Sequence, residues 1–259
     1  MKRNAIIRIV ISSLVAIALV CGLIVELNPE RIPMVFYIGG SGITVEGEVS
    51  LDATQIKNLE VDWAAGGVEI RTADTDKITI SEVTPDNCKY KMAYHLDGDT
   101  LEVSYSNHPF LFGNMRMPQK DLIITVPQNW DCGELEIDGP SLAIDIAGIT
   151  VGTLDLDGAD CNLNFTGSVD QVNINGASTK VHMVCANLIS AIQIDGASCN
   201  LELTLPKDCG FRADMNGLGC DLHTELPYAT KNDYHVYGDE HCKISVNGIS
   251  CVVTIKEAP

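Results

Sequence analysis

From residue 43 onward, apolar and polar positions alternate in short runs bounded by Gly, Asp, Asn and Pro. That period of two marks strands buried on one face, and helical periodicity is almost absent. One pattern recurs: LEIDG at 135–139, LDLDG at 154–158, VNING at 172–176, IQIDG at 192–196, ADMNG at 213–217 and ISVNG at 244–248. Each copy runs on through two or three small residues into a second alternating strand. The turn glycines fall at 139, 158, 176, 196, 217 and 248, so their spacings are 19, 18, 20, 21 and 31. A diverged early copy is LEVDWAAGGVEI at 59–70. Asp-Gly and Asn-Gly tolerate positive φ, which predicts a tight corner between the two strands of each copy. Such a strand pair buries its apolar side only when copies stack. A period near 20 therefore predicts an all-β domain, a single-stranded β-solenoid of β-helix-like coils. A β-sandwich would not be expected to keep one turn motif in every copy.

Residues 131–257 hold the regular coils, and residues 43–130 are less regular. In the latter, 74–80 and 97–103 read as turn-then-strand segments, and 120–127 reads as a strand stopped by Pro127. The stretch 107–119, with Pro109, Phe110, Phe112, Met115 and Met117, reads as a surface excursion.

The N-terminus has a different pattern. Basic residues open the chain, and residues 9–25 then run without a charge. Ala5, Ile6 and Ile7 extend the apolar stretch, with Arg8 placed to snorkel. Roughly 20 apolar residues span a bilayer. Lys2 and Arg3 precede the stretch and Glu26 and Glu30 follow it, which predicts an inside N-terminus. No A-x-A site suggests cleavage, and Val20 before Cys21 does not suit lipoprotein processing. The expected organisation is a cytoplasmic tip and transmembrane anchor at 1–27 and a juxtamembrane linker at 28–42. An extracytoplasmic repeat domain follows at 43–257.

Charge narrows the partners. The formal net charge is −18, from 17 Lys and Arg against 35 Asp and Glu. Residues 1–31 carry four basic and two acidic residues, so the remainder carries 13 against 33, or −20. Such a surface repels phosphate backbones, which argues against nucleic acid. It attracts cations and basic groups, and it also keeps an exposed repeat domain soluble. Aromatic residues are 5% of the chain and concentrate before residue 130, around Tyr90, Tyr94, Tyr105, Phe110 and Phe112. That points to the N-terminal half as a contact region, although the same residues suit a cap or a core.

Candidate chemistry is sparse. Cys161, Cys199, Cys220 and Cys251 each follow a turn glycine by three residues. In stacked coils they form part of one ladder, about 4.8 Å apart. Leu142 and Thr179 occupy the same position in other copies, so a reduced, buried thiol acting as a small apolar group fits it. Disulfides between coils are the sharper reading, with Cys199–Cys220 as its first candidate. A second ladder holds Asp62, Asp138, Asp157, Asn175, Asp195, Asn216 and Asn247. Its stacked oxygens suit Ca²⁺ in principle. Plain turn chemistry, in which each side chain bonds its own backbone, accounts better for Asn alternating with Asp. The histidines at 95, 108, 182, 223, 235 and 241 make no ligand pairs, and His241-Cys242 with Cys209 is a loose grouping. No nucleophile elbow, zinc-protease helix motif or phosphate loop is present. The copies over 135–205 hold Lys180 as their one Lys or Arg, unlike a groove built for polysaccharide cleavage. The reading is non-enzymatic, with no catalytic, cofactor or metal residue nominated.

The order of the segments carries a resemblance. Residues 59–70 with their Ala-Ala-Gly-Gly corner come first, then Ile78-Thr-Ile80, then Asp97-Gly-Asp-Thr-Leu before a strand. Leu122-Ile-Ile-Thr-Val-Pro127 and the run of Asp/Asn-Gly coils complete the series. This series, over 43–257, resembles the putative adhesin family of bacterial β-strand-repeat proteins, a family of unknown function. The resemblance implies a surface β-solenoid anchored by one N-terminal span. It also implies roles in adhesion or envelope-stress signalling, and it supplies no catalytic residue. The many cysteines depart from the family pattern. The expected function is a membrane-anchored cell-surface protein that binds an unknown protein or a cell-wall or glycan ligand. The alternative is an accessory of envelope-stress sensing or envelope structure that acts through a membrane partner.

Overall fold

The computed structural model describes residues 42–106, 117–207, 209–232 and 234–258. The expected span and nearly all of the linker lie outside them, as does most of the excursion at 107–119. Among the described residues no helix is long and apolar enough to cross a membrane.

The described chain is all-β. Strands β1 (Ile43–Thr44), β2 (Glu48–Asp52), β3 (Asn58–Asp62), β4 (Gly66–Ala73), β5 (Lys77–Val83), β6 (Ala93–Asp97), β7 (Thr100–Ser104) and β8 (Asp121–Pro127) build its first part. The regular repeats form β9 (Asp131–Gly139), β10 (Leu142–Gly158), β11 (Asn162–Ala177), β12 (Lys180–Cys185), β13 (Ala191–Ala197) and β14 (Asn200–Leu205). Then come β15 (Phe211–Leu218), β16 (Asp221–Thr224), β17 (Ala229–Lys231), β18 (Tyr234–Tyr237), β19 (Cys242–Ile249) and β20 (Val252–Glu257).

Parallel pairing arranges these strands in two columns. The first runs β7, β3, β9, residues 150–158 of β10, residues 168–177 of β11, β13, β19 and β15. The second runs β8, β4, residues 142–147 of β10, residues 162–167 of β11, β12, β14, β20 and β16. β10 and β11 pass from the second column to the first, and β10 bends where its register shifts between Ala147 and Ile149. Gly148 supplies the positive φ of that bend.

Strands β10, β11, β12 and β14 alternate buried residues with outward-facing ones. The inward Leu, Ile and Val of both columns meet in one core. Leu135, Ile137, Leu154, Leu163 and Leu201 are 0% exposed, and their neighbours along the stack are buried too. Each such side chain contributes about 1.5–3 kcal/mol of burial.

The stacking order departs from chain order at both ends. β3 and β4 lie inside the later β7 and β8. At the far end β19 sits between β13 and β15, and β20 sits between β14 and β16. The rung 242–257 therefore fills the slot inside the rung 211–224. This accounts for the long last spacing of the repeat, because 225–241 must travel out and back. Antiparallel pairs cover the end strands: β6 on β7, β5 on β8, and β18 on β15. β16 is an end strand that pairs only with β20 among the described residues, and four residues make it too short to template much pairing.

The corners correct one expectation. In the copies at 172–176, 192–196 and 244–248 the Asp or Asn and the Gly do not carry the left-handed turn, whereas Gly217 itself has φ 154°. Positive φ falls two residues later, at Ser178, Ser198, Ser250 and Gly219. The motif glycine is there because nothing larger fits. A methyl on Gly176 would lie 1.9 Å from the Gly158 carbonyl oxygen, and one on Gly196 would lie 2.0 Å from that of Gly176.

Candidate acidic binding face

The outward residues of the first column form two rows set by strand register. In one row Glu102, Glu60, Glu136 and Asp155 stand on successive strands, followed by Asn173 and Gln193. In the next row Asp62, Asp138 and Asp157 precede Asn175, Asp195 and Asn247. The alternation that buries Leu135 and Ile137 turns Glu136 and Asp138 outward. The strand spacing of about 4.8 Å then holds like charges closer than water alone would allow.

The two ends of these rows differ. Toward the C-terminal coils, amides stand among the acids and donate to them. Asn173 Nδ2 donates to Asp155 Oδ1, and Asn247 Nδ2 donates to Asp195 Oδ1 at 3.0 Å. Gln193 Nε2 also donates to Asp195. The corner side chains thus bond across rungs, where plain turn chemistry predicted bonds to their own backbone. In the other direction the rows are carboxylates. One oxygen from each of Glu136, Asp138 and Asp157 lies within 4.8 Å of the others. Asp138 Oδ1 is buried and has no hydrogen-bond partner among the described residues.

The electrostatic result is crowding. Burial pushes the Glu136 carboxyl up to about 7, and Glu60, Asp155, Asp157 and Glu134 add to it. Burial also raises Asp138 to about 7, helped by Glu136, Asp157, Asp62 and Glu60. Glu60 and Asp62 are raised for the same reasons in the same order. In Asp157 burial outweighs the hydrogen bond from Asn175, and its carboxyl is raised as well. The trio offers hard oxygen donors, but three oxygens fall short of the roughly 6–8 that Ca²⁺ takes.

The thiol ladder differs from the disulfide reading. Nine cysteines are described, all as free thiols. At the corner, each side chain reaches the motif glycine carbonyl of the neighbouring rung. The Sγ–O distances are 3.4 Å for Cys161 to Gly139, 3.5 Å for Cys199 to Gly176 and 3.5 Å for Cys251 to Gly196. Cys220 reaches Gly248 at 3.4 Å, and Thr179 Oγ1 lies 3.5 Å from the Gly158 oxygen. The position selects a small side chain with a weak donor. Cys199 and Cys220 are not neighbours, because the intercalated rung places Cys251 between them. The His241-Cys242 grouping also separates: His241 is exposed and Cys242 is buried in the core.

Among the described residues, the aromatic side chains of the N-terminal half do not form an exposed patch. Trp63 and Tyr105 are 0% exposed and pack edge to face at 5.2 Å. Between them lies Lys120, which the sequence reading missed. Its ammonium donates to Glu82 Oε2 at 2.6 Å and to the carbonyls of Tyr105 at 2.7 Å and Tyr90 at 3.1 Å. It also lies 4.0 Å from the Tyr105 ring centre and 4.8 Å from that of Trp63. Phe110 and Phe112 fall outside the described residues. A shallow open depression of about 380 Å³ lies between the loops around Thr54, Asp74 and Gln128. No Lys, Arg, His or Cys lines it.

A model of the Toastrack DUF4097 family matches residues 56–205, more than half of the chain. No curated protein matches. Among solved structures, a putative adhesin from Bacteroides fragilis NCTC 9343 is 13% identical, with 84% of this chain and 100% of that one covered, at a TM-score of 0.46. A putative cell adhesion protein from Clostridium sporogenes ATCC 15579 is 13% identical, with 83% and 100% covered, at a TM-score of 0.42. A putative adhesin from Parabacteroides distasonis ATCC 8503 is 12% identical, with 84% and 99% covered, at 0.36. Likenesses at this level say nothing about a ligand.

Proposed function

Because this chain belongs to the Toastrack DUF4097 family, a family of unknown function, we propose that it is a non-catalytic binding module displayed on the cell surface. In this reading residues 1–27 anchor it in the membrane, residues 43–257 lie outside, and the acidic rows are its contact surface. The observation that carries the reading is the crowding of Glu60, Asp62, Glu102, Glu136, Asp138 and Asp157 on successive strands with no Lys or Arg in register with them. A basic protein segment laid along these rows relieves that repulsion on binding. The uncharged run at 9–25, with basic residues before it and acidic residues after it, supports the anchor.

The test uses intact cells that express the full-length chain and a fluorescent oligolysine peptide. Wild-type cells are expected to bind the peptide, and binding is expected to weaken steeply as salt rises. E60Q/E102Q/E136Q is expected to weaken it about tenfold, equivalent to roughly 1.4 kcal/mol. Equal binding by the variant at equal surface expression rejects the acidic rows as the contact. Binding of a neutral glycan in place of the peptide moves the reading to carbohydrate. Protection of the domain from added protease on intact cells rejects the external orientation.

A further inference from the structure

The corner ladder brings three thiols together in an order that the chain does not suggest. Cys251 stands between Cys199 and Cys220. The Val252 amide donates to the Cys199 carbonyl at 2.8 Å, and the Asp221 amide donates to the Cys251 carbonyl at 2.9 Å. Cys251 interacts directly with both neighbouring thiols. Cys161 is excluded from the group, because Thr179 occupies the rung between it and Cys199. Strand neighbours about 4.8 Å apart lie inside the Cα range of about 4.4–6.8 Å that a disulfide spans. A central thiol pairs with one neighbour at a time, so the geometry offers two mutually exclusive bridges.

Access separates them. Cys199 is 3% exposed and Cys251 is 0% exposed, whereas Cys220, on the end rung, is partly exposed. We propose that Cys220 and Cys251 are a disulfide-forming pair that reacts with an external low-molecular-weight disulfide, with Cys220 as the entry thiol. The Cys220 thiolate attacks the external disulfide and releases one thiol, leaving a mixed disulfide on Cys220. The Cys251 thiolate then attacks the Cys220 sulfur and releases the second thiol. Two protein thiols are oxidised, one external disulfide is reduced to two thiols, and the two protein protons pass to the released thiolates. The bridge fastens the intercalated rung to the end rung that it supports. Burial pushes Cys199 up to about 12, so it competes poorly for the bridge once formed. Burial raises Cys251 as well, which makes the second step slow and faster at alkaline pH.

The test incubates reduced full-length protein with oxidised glutathione at alkaline pH. Samples are quenched with acid, alkylated under denaturing conditions and mapped by peptide mass spectrometry. The expected product is one cross-linked peptide joining Cys220 to Cys251, with Cys199 recovered as an alkylated thiol and the melting temperature raised by several degrees. C199S is expected to form the same bridge. C220S is expected to leave Cys251 reduced while melting, in the reduced state, close to the wild-type protein. Several results overturn the proposal: glutathione remaining on Cys220 with no bridge, or a Cys199–Cys251 bridge at a similar rate. A first bridge between any other pair of cysteines, or no oxidation at all, overturns it too.

Discussion

At the scale of single residues, two kinds of side chain behave differently from their sequence context. The corner row of Asp and Asn was legible, because period-two alternation fixes which residues face outward and the repeat fixes which stack, whereas the neighbouring row of Glu102, Glu60, Glu136 and Asp155 was missed although the same rule places it. Lys120 was not legible. It precedes an apolar strand and reads as an ordinary solvated charge, and only the packing of Trp63 and Tyr105 around it shows otherwise. Glu82, its partner, has a second, buried oxygen with no hydrogen-bond partner among the described residues. A buried pair of this kind is costly to break and cheap to replace as a unit. Lys120→Met is expected to destabilise the fold by about 3–5 kcal/mol, because Glu82 is left buried without its cation. Replacing both residues in K120M/E82M is expected to recover most of that loss. Urea midpoints of the two variants check it, and equal losses in both would show that packing, not charge, sets the cost.

At the scale of the coil, the repeat motif announced a rung but not the reason for its glycine. Sequence reasoning assigned Asp-Gly and Asn-Gly to positive φ, as in hairpins. The stack uses the glycine for close approach and places the left-handed residue two positions on. The two roles separate under substitution. Gly176→Ala puts a methyl against the Gly158 carbonyl and Thr179, and is expected to cost about 2–3 kcal/mol as overpacking. Ser198→Gly, at φ 57°, removes a left-handed strain worth roughly 1 kcal/mol and is expected to be neutral or stabilising. Thermal melts of the pair check the assignment, and a stabilising G176A would refute it. The coil order was hidden for a related reason. Equivalent motifs fit any neighbouring slot, so spacing alone does not say which copies touch, and the 31-residue gap before Gly248 was the one hint of a detour.

At the scale of the whole molecule, the net charge of −18 and the crowded rows bear on stability with the same sign. Glu136 and Asp138 hold their protons to about pH 7 in the folded chain, against ordinary values of 4.5 and 3.8. Between those limits the folded state binds more protons than the unfolded state, so stability falls as pH rises. Their favourable contribution is complete below about pH 4 and gone above about pH 7. The melting temperature is expected to be higher at pH 5 than at pH 8, and E136Q/D138N is expected to flatten that difference by raising the pH 8 value. A variant with the unaltered pH slope would place the effect elsewhere on the surface. The intercalated rung has a consequence of another kind, for how the chain is made. Residues 211–224 are synthesised before the rung 242–257 that joins them to the rest of the stack. Until residue 257 has emerged, the outer edges of β13 and β14 lack the strands that cover them in the finished stack. A chain interrupted before that point is therefore expected to be open to proteolysis, and completeness of translation becomes a condition for closing the stack.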